Sequence, residues 1–365
     1  MIGALRSQRF WRDFDWGLFL VAILLSVVGL IEIYSSTMNM ESDFVYRQFT
    51  WVALGAVLAF FVAAIDYRVL AENVIWIYLG TILLLVGVLL FGQTVAGSKS
   101  WFGIGSLGLQ PSEVAKIVTV LALSRYLAGV KNQYLNFTQV LKAAAICLVP
   151  ALLIVIQPDL GTSLTFVPIV VFGLFVRGLK PIAMVAGFLI IVLMLPVAWF
   201  AMEDYQKDRL ITFLQPETDP LGSGYQVIQS KIAIGSGGLF GKGLFEGSQN
   251  QLGFLPTRHT DFIFSVIAEE MGFLGVFITL GLLLILTLRA IAPTRNPRDT
   301  LGLFIVVGVV SIFVFHILVN VGMVIGFMPI TGIPLPFVSY GGSSVLTAFI
   351  GLGLILSVRR CRYVN

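Results

Sequence analysis

The chain has 365 residues, of which 58% are hydrophobic and only 12% are charged, and its formal net charge is +4. Soluble globular proteins carry about twice that share of charged residues, so the composition excludes an ordinary soluble protein. The apolar excess needs lipid as its solvent, and a bilayer core about 30 Å thick takes about 20 apolar helical residues per crossing. We therefore predict an all-α integral membrane protein, because helices satisfy their backbone groups within each segment.

Apolar segments of spanning length recur along the chain, and we interpret residues 1–365 as a single transmembrane domain. About ten transmembrane helices are predicted, at 16–34, 48–65, 73–92, 111–128, 138–157, 162–176, 181–200, 262–288, 301–326 and 342–358. One long loop, 201–261, joins the seventh helix to the eighth.

Basic residues indicate how the chain is oriented in the membrane. With a cytoplasmic N-terminus, most Lys and Arg residues of the short connections lie inside, and only Arg47 and Lys99 fall in the short outer loops. Cytoplasmic loops are enriched in basic residues, so the N- and C-termini are both predicted to be cytoplasmic. The long loop 201–261 is then extracytoplasmic.

The fourth predicted span opens with Gln110-Pro-Ser-Glu-Val-Ala-Lys116. Glu113 and Lys116 are three residues apart and share one face of the helix, within about two turns of the outer surface. Ionisable residues inside a membrane are costly and mark candidate functional sites. An ion pair that only holds two helices together is the alternative. Asp159, in the hairpin between spans five and six, is either functional or a turn residue that caps the sixth helix.

In the long loop, a possible surface helix at 225–234 precedes a glycine-rich run from Gly235 to Gly247. The apolar side of that helix consists of Tyr225, Val227, Ile228 and Ile232. Long connections are usually functional, and this one could lie on the outer membrane surface against a lipid head group. A flexible cap is the alternative.

The eighth predicted span follows directly on Leu255-Pro-Thr-Arg-His-Thr-Asp261. Thr260 is expected to cap the helix, which places Asp261 in the first turn, where the helix macrodipole favours an ionised carboxylate. Such a carboxylate at the outer mouth of a helix, beside Arg258 and His259, is a plausible general base. A second capping acid without chemistry is the alternative.

The polar residues predicted nearest the middle of the membrane are Glu269, Glu270, His316 and Asn320. Structural hydrogen bonding between helices is their expected role. The last outer loop, 329–344, is rich in Pro and Gly and carries no charge, which suits a re-entrant lining of a cavity. A transporter would concentrate its polar groups near the midplane. Here most of them belong to the outer half, which favours an enzyme acting on a lipid-linked substrate at the outer leaflet.

Four stretches together resemble the SEDS family (shape, elongation, division and sporulation proteins). They are Gln110-Pro-Ser-Glu-Val-Ala-Lys116, Gln157-Pro-Asp-Leu-Gly-Thr162, Leu255-Pro-Thr-Arg-His-Thr-Asp-Phe-Ile-Phe264 with Ala268-Glu-Glu270, and Gly332-Ile-Pro-Leu-Pro-Phe-Val-Ser-Tyr-Gly-Gly-Ser-Ser344. The resemblance covers essentially the whole chain, and four short motifs in the family's order make it specific. Arg258 and Ala268 resemble the elongation branch rather than the division branch.

The resemblance implies a glycosyltransferase of the bacterial cytoplasmic (inner) membrane. Such an enzyme polymerises lipid II into glycan strands at the outer face during cell elongation and releases undecaprenyl diphosphate. The family's catalytic aspartate falls on Asp261, and its supporting polar cluster on Glu113, Lys116 and Asp159. A class B penicillin-binding protein (a transpeptidase), the elongation machinery and membrane lipid are the implied partners, and no nucleic acid is expected. No cofactor is readable from the sequence, although the resemblance allows a divalent cation, Mg²⁺ or Mn²⁺.

With Asp261 as general base, the departing diphosphate needs positive charge. The candidates for its binding are Lys116, Arg209, Lys242 and Arg258. Two alternatives to a polymerase stay open. One is a non-catalytic scaffold for a transpeptidase, and the other is a lipid II flippase with a midplane path through Glu269, Glu270, His316 and Asn320.

Overall fold

The computed structural model describes residues 12–40, 43–95, 98–104, 107–180, 204–219, 222–295 and 299–361, together with scattered positions between 182 and 200. In chain order the described helices are α1 (Trp16–Thr37), α2 (Phe44–Ala64), α3 (Tyr67–Glu72), α4 (Val74–Phe91), α5 (Pro111–Gly129), α6 (Phe137–Ile156), α7 (Leu160–Leu164), α8 (Phe166–Gly178), α9 (Asp204–Leu214), α10 (Ser223–Gly237), α11 (Ser248–Gln251), α12 (Ile263–Glu270), α13 (Gly272–Ile291), α14 (Thr300–Val324) and α15 (Gly342–Cys361). Short 3₁₀ turns occupy Pro216–Thr218 and Ala292–Arg295.

The chain is a helical membrane protein, as its composition predicts. Within the described part, eight helical segments are long and apolar enough to cross a membrane. They are Trp16–Thr37, Phe44–Ala64, Val74–Phe91, Phe137–Ile156, Leu160–Gly178, Gly272–Thr294, Thr300–Val324 and Gly342–Cys361. The predicted span 181–200 lies mostly outside the described residues.

The predicted span 111–128 forms α5, which lies inside the bundle and is less apolar than the eight segments. It packs against α4, α6 and α14, and 13 of its 19 residues are buried, including Glu113 and Lys116 with their charged side chains. α14 is buried along most of its length as well. The charged groups of Glu113 and Lys116 are therefore surrounded by protein and not by lipid.

A small antiparallel sheet joins α4 to α5 and is absent from the predicted all-α layout. Its strands are β1 (Gln93–Val95), β2 (Ser98–Ile104) and β3 (Leu107–Leu109), in the order β1-β2-β3. Short strands of this kind carry little periodic signal, since their stability comes from pairing and not from a long amphipathic pattern.

The predicted continuous helix 262–288 is wrong in one respect, because it is divided into α12 and α13. Gly272, with φ +64°, follows the end of α12. Backbone groups near the break pair with the glycine-rich run: the Lys242 amide donates to Glu269 O (3.0 Å), and the Phe273 amide donates to Gly238 O (2.9 Å). A second segment of chain therefore satisfies the groups that the break exposes.

The long loop is folded where the structure describes it. α10 confirms the predicted helix at 225–234, but it packs on α12 and α14. Ser230 Oγ contacts Ser265 Oγ (2.9 Å) and donates to Val324 O (2.6 Å). The residues predicted to form the apolar side of α10 differ in burial, since Val227 is buried and Ile232 is exposed. The helix is thus part of the protein core, and the glycine-rich run beside it is not a flexible cap.

Candidate functional site

Asp261 lies in a turn just before α12 and not in its first turn. The N-cap position belongs to Phe262, and the Thr260 hydroxyl donates to Thr257 O (3.2 Å) instead of capping the helix. Asp261 is partly exposed, whereas every residue of α12 is buried. Asp261 therefore lies at the edge of the core, next to a fully buried helix.

Burial raises the pKa of Asp261 to about 6, and the positive charge of Arg209 opposes part of that rise. The expected stabilisation of the ionised form by a helix macrodipole is thus not the dominant effect. A pKa just below neutral leaves the carboxylate mostly ionised at pH 7 while it keeps a useful affinity for a proton. This is the range in which a general base is most effective.

His259, which neighbours Asp261 in sequence, belongs to an aromatic group. Its ring centroid lies 4.7 Å from that of Phe44 and 5.5 Å from that of Tyr340. Burial lowers the pKa of His259, and the charge of Arg258 lowers it further. The imidazole is therefore neutral at pH 7 and packs against Phe44 of α2 and against Tyr340.

The proline-rich loop, defined here as residues 329–341, packs into the protein and contacts the other predicted site segments. A methyl group added at Gly332, where φ is +70°, would lie 3.7 Å from Asp261 Oδ2. The Ile330 carbonyl accepts a hydrogen bond from Arg209 (3.4 Å). The Thr331 carbonyl lies so close to Gly161 that a Cβ there would approach it to 2.1 Å. This loop therefore forms one wall beside Asp261.

Glu113 and Lys116 form a buried ion pair, with Nζ 2.9 Å from Oε1 and side chains that are 5% and 1% exposed. His316 completes the group, because its Nε2 lies 3.3 Å from Lys116 Nζ and its Nδ1 lies 3.1 Å from Pro334 O. A carbonyl only accepts, so Nδ1 carries the proton and Nε2 accepts from the ammonium. The pair thus joins α5 to α14, as the helix-holding alternative requires, and also to the proline-rich loop.

Asp159 caps α7, as expected if it is a turn residue that caps a helix and has no catalytic role. Its Oδ1 accepts from the Thr162 amide (3.1 Å), while its Oδ2 accepts from Gln110 Nε2 (2.8 Å). Gln110 directly precedes α5. Asp159 therefore links the hairpin to the start of α5. Gly161 of the same hairpin contacts the proline-rich loop.

The four candidates for diphosphate binding fall into different surroundings. Arg209 is exposed, and its charge acts on Asp261. Lys116 is buried in the ion pair with Glu113. Lys242 pairs with Glu269 (2.7 Å), and Arg258 donates to Ser36 O (2.7 Å) and to Asn250 O. The structure therefore brings Arg209 to Asp261, whereas Lys242 and Arg258 have their hydrogen bonds in a second polar cluster.

That second cluster is centred on Glu269 and Glu270, and most of the residues that bind these two glutamates carry no recognisable signal in the sequence. Glu269 accepts from the backbone amides of Gln249 (2.9 Å) and Asn250 (3.1 Å). Glu270 accepts from Ser35 Oγ (2.5 Å) and Asn250 Nδ2 (2.7 Å). Both glutamates therefore hold the segment before Asp261 and connect it to α1, which extends their predicted interhelical role.

Among the described residues, no group of three His, Cys, Asp or Glu side chains could hold a metal ion. Mg²⁺ is commonly bound by one or two carboxylates together with substrate phosphates. In Asp159, both carboxylate oxygens already accept hydrogen bonds within the protein, so this residue is not free to serve as such a ligand.

The fold and this arrangement define a multi-pass helical membrane protein in which the partly exposed Asp261 lies beside buried polar groups. The family model FTSW_RODA_SPOVE, described as cell cycle protein, matches residues 15–363. The peptidoglycan glycosyltransferase MrdB of Escherichia coli (strain K12) is 38% identical over 360 residues, which are 98% of this chain and 96% of MrdB. The chain therefore belongs to the FtsW/RodA/SpoVE family.

Solved structures agree with that assignment. A chain of a peptidoglycan synthase complex that coordinates polymerization and crosslinking is 37% identical, with a TM-score of 0.83 over 96% of this chain and 99% of that one. The rod shape determining protein RodA of Thermus thermophilus is 31% identical, with a TM-score of 0.72 over 96% of this chain and 98% of that one.

Proposed function

We propose that the chain is a peptidoglycan glycosyltransferase that polymerises lipid II at the outer face of the bacterial cytoplasmic membrane during cell elongation. Relatives that match it over at least 95% of this chain and 96% of their own are named peptidoglycan glycosyltransferases. The observation that carries the proposal is Asp261, a partly exposed residue whose carboxyl has a pKa of about 6 and is affected by the positive charge of the exposed Arg209. In this proposal residues 1–365 form one domain with cytoplasmic termini, and the loop 201–261 is extracytoplasmic.

In the proposed reaction, Asp261 removes the proton from the 4-hydroxyl of the acceptor N-acetylglucosamine. The oxygen forms a bond to C1 of the donor N-acetylmuramic acid while the bond from C1 to the diphosphate oxygen breaks. Undecaprenyl diphosphate leaves with the bonding electrons, and the configuration at C1 is inverted. One base suffices, because no glycosyl-enzyme intermediate is formed.

Arg209 is the proposed ligand of the departing diphosphate. Preorganised positive charge at a developing anion is commonly the largest stabilising contribution in such reactions. Lys116 would need to leave Glu113 to contribute directly, so its proposed role is to hold α5 against the proline-rich loop. A class B penicillin-binding protein is the proposed partner, in line with a structural relative that belongs to a complex of polymerization and crosslinking.

Polymerisation of purified lipid II, with glycan chains separated by length, tests the proposal. We expect chains from the unchanged protein and at least about 100-fold slower polymerisation from Asp261→Asn, since a lost general base costs roughly that factor. Asp208→Asn is the matched control, because Asp208 is an exposed carboxylate next to Arg209. Full activity of Asp261→Asn would remove Asp261 from the base role.

The same assay separates the alternatives. Translocation of lipid II without chains would establish a flippase, and chains that form only through the transpeptidase's own activity would establish a scaffold. A flippase path through Glu269 and Glu270 is disfavoured here, because both side chains already accept several hydrogen bonds within the protein.

A further inference from the structure

Asn320 is a buried polar side chain in the mostly apolar α14. Its amide nitrogen donates to two main-chain carbonyls, Asp261 O at 3.0 Å and Ile333 O at 2.9 Å. Both hydrogens of the amide are thereby used, and each goes to a different segment of chain. One segment carries the proposed general base, and the other is the proline-rich loop.

The carbonyl of Asp261 is available to Asn320 because α12 begins only at Ile263, two residues after Asp261. In a regular helix starting at Asp261, that carbonyl would accept from the amide four residues on, at Ser265. Here the Ser265 amide donates to Phe262 O instead (2.9 Å). A buried carbonyl needs another donor, and Asn320 supplies it.

The second bond fixes the surface that faces the carboxylate. Ile333 directly follows Gly332, and a Cβ on Gly332 would lie 3.7 Å from Asp261 Oδ2. The Asn320 amide thus fixes the position of the Asp261 backbone and also the distance between the proline-rich loop and the Asp261 carboxylate. His316, one helical turn earlier, contacts Pro334 O and Lys116. α14 therefore aligns the buried ion pair, the proline-rich loop and Asp261 on one face.

We propose that Asn320 is a positioning residue for the glycosyl transfer, which clamps the backbone of Asp261 to the proline-rich loop and holds the carboxylate in line with the acceptor hydroxyl. This inference rests on the proposed function of Asp261. Asn320 touches no reacting atom in this arrangement and acts only through the two carbonyls.

Gln48 offers a matched control within the same loop. It is also a buried side-chain amide, its Nε2 donates to Ser339 O (3.1 Å), and its Oε1 accepts from the Gly341 amide (3.2 Å). It therefore makes two main-chain hydrogen bonds to the proline-rich loop and none to Asp261. Asn320→Leu and Gln48→Leu each remove two such bonds and introduce leucine, which has the branched heavy-atom shape of asparagine and one heavy atom fewer than glutamine.

The test measures kcat, KM for lipid II and the pH dependence of polymerisation for both variants. For Asn320→Leu we expect kcat to fall about 10- to 100-fold, the loss typical of a displaced reacting group, with KM changed less than about 3-fold. The released carboxylate is better hydrated, so the acid limb of its pH profile moves to lower pH by about half a unit or more. Gln48→Leu should keep the unchanged pH profile and lose less than about 3-fold in kcat.

Asn320→Ser covers the case in which Asn320→Leu does not fold, because serine stays polar but cannot reach both carbonyls. We expect from it the same direction of change in kcat and pH profile. The proposal is overturned if a folded Asn320 variant keeps the kcat and pH profile of the unchanged protein, or if Gln48→Leu shifts the profile equally. Asp261→Asn is measured in parallel: if it retains full activity, the proposed function fails, whereas its inactivity beside unaffected Asn320 variants overturns only this inference.

Discussion

At Asp261, the burial that would suit a general base also opposes folding at neutral pH. Burial raises the pKa of the carboxyl from 3.8 to about 6. An acid whose pKa is higher in the folded state favours folding while it is protonated. That contribution is complete below about pH 3.8 and is lost as the pH rises through about 6. Catalytic groups are often destabilising in this way.

Replacement of Asp261 by Asn should therefore stabilise the protein at neutral pH. In thermal unfolding in detergent at pH 7.5, we expect Asp261→Asn to melt about 2–4 °C above the unchanged protein. At pH 5 the difference should shrink, because the carboxyl is then mostly protonated. Asp208→Asn, at an exposed site, should show neither effect. A variant less stable than the unchanged protein at both pH values would contradict the account.

The residues that carry charge could be chosen from sequence, whereas their hydrogen bonds could not. Asp261, Glu113 and Lys116 are conspicuous as ionisable residues in or beside apolar segments. The absence of a Thr260 cap depends on the backbone of the turn, which Asn320 and the distant proline-rich loop help to fix. Interactions between segments far apart in sequence leave no local pattern.

Among the elements, the break between α12 and α13 depends on the glycine-rich run. The end of α10 approaches α12 so closely that a Cβ on Gly237 would lie 1.9 Å from Ala268 O. The glycines are evident in the sequence, but the helix that they contact is not. The sequence alone is therefore also compatible with a flexible cap. Their close approach to the break becomes evident only once both segments are placed.

Gly237→Ala should disturb this contact, while Gly235→Ala, two residues earlier in α10, should not. A Cβ on Gly235 meets nothing within 4 Å. We expect Gly237→Ala to reduce the free energy of unfolding by about 1–3 kcal/mol through overpacking. Gly235→Ala should be neutral or stabilising by up to about 1 kcal/mol, because alanine favours the helix. Denaturant titration in detergent measures both, and equal behaviour of the two variants would rule out the close contact.

Across the whole molecule, Asp15 connects three membrane segments at one end of the bundle. It accepts from the Leu18 amide (3.1 Å) at the start of α1, from Arg289 of α13 (3.3 Å), and from Arg359 of α15. Its side chain is only 4% exposed. The apolar segments could be located from sequence alone, but which of them meet around this carboxylate could not, because apolar helices of similar composition are interchangeable in such a pattern.

Asp15→Asn should lower stability without affecting polymerisation. Asparagine still caps α1, but the two arginines lose their negative partner, and bonds to charged groups contribute about 1.5–3 kcal/mol each before solvent screening. We expect a lower melting temperature and an unchanged rate at 25 °C. Glu72→Gln, at an exposed position in α3, should change neither quantity. A lost rate in folded Asp15→Asn protein would show that this network also acts on the site.

The most direct test of the central claim is the rate of lipid II polymerisation between pH 5 and pH 8, for the unchanged protein and for Asp261→Asn. With Asp261 as general base, the rate should rise along a single-proton limb near pH 6, the pKa given to this carboxyl by its burial, and then level off. Asp261→Asn should stay at least about 100-fold slower at the plateau and lack that limb. An unchanged limb and plateau in Asp261→Asn would contradict the account.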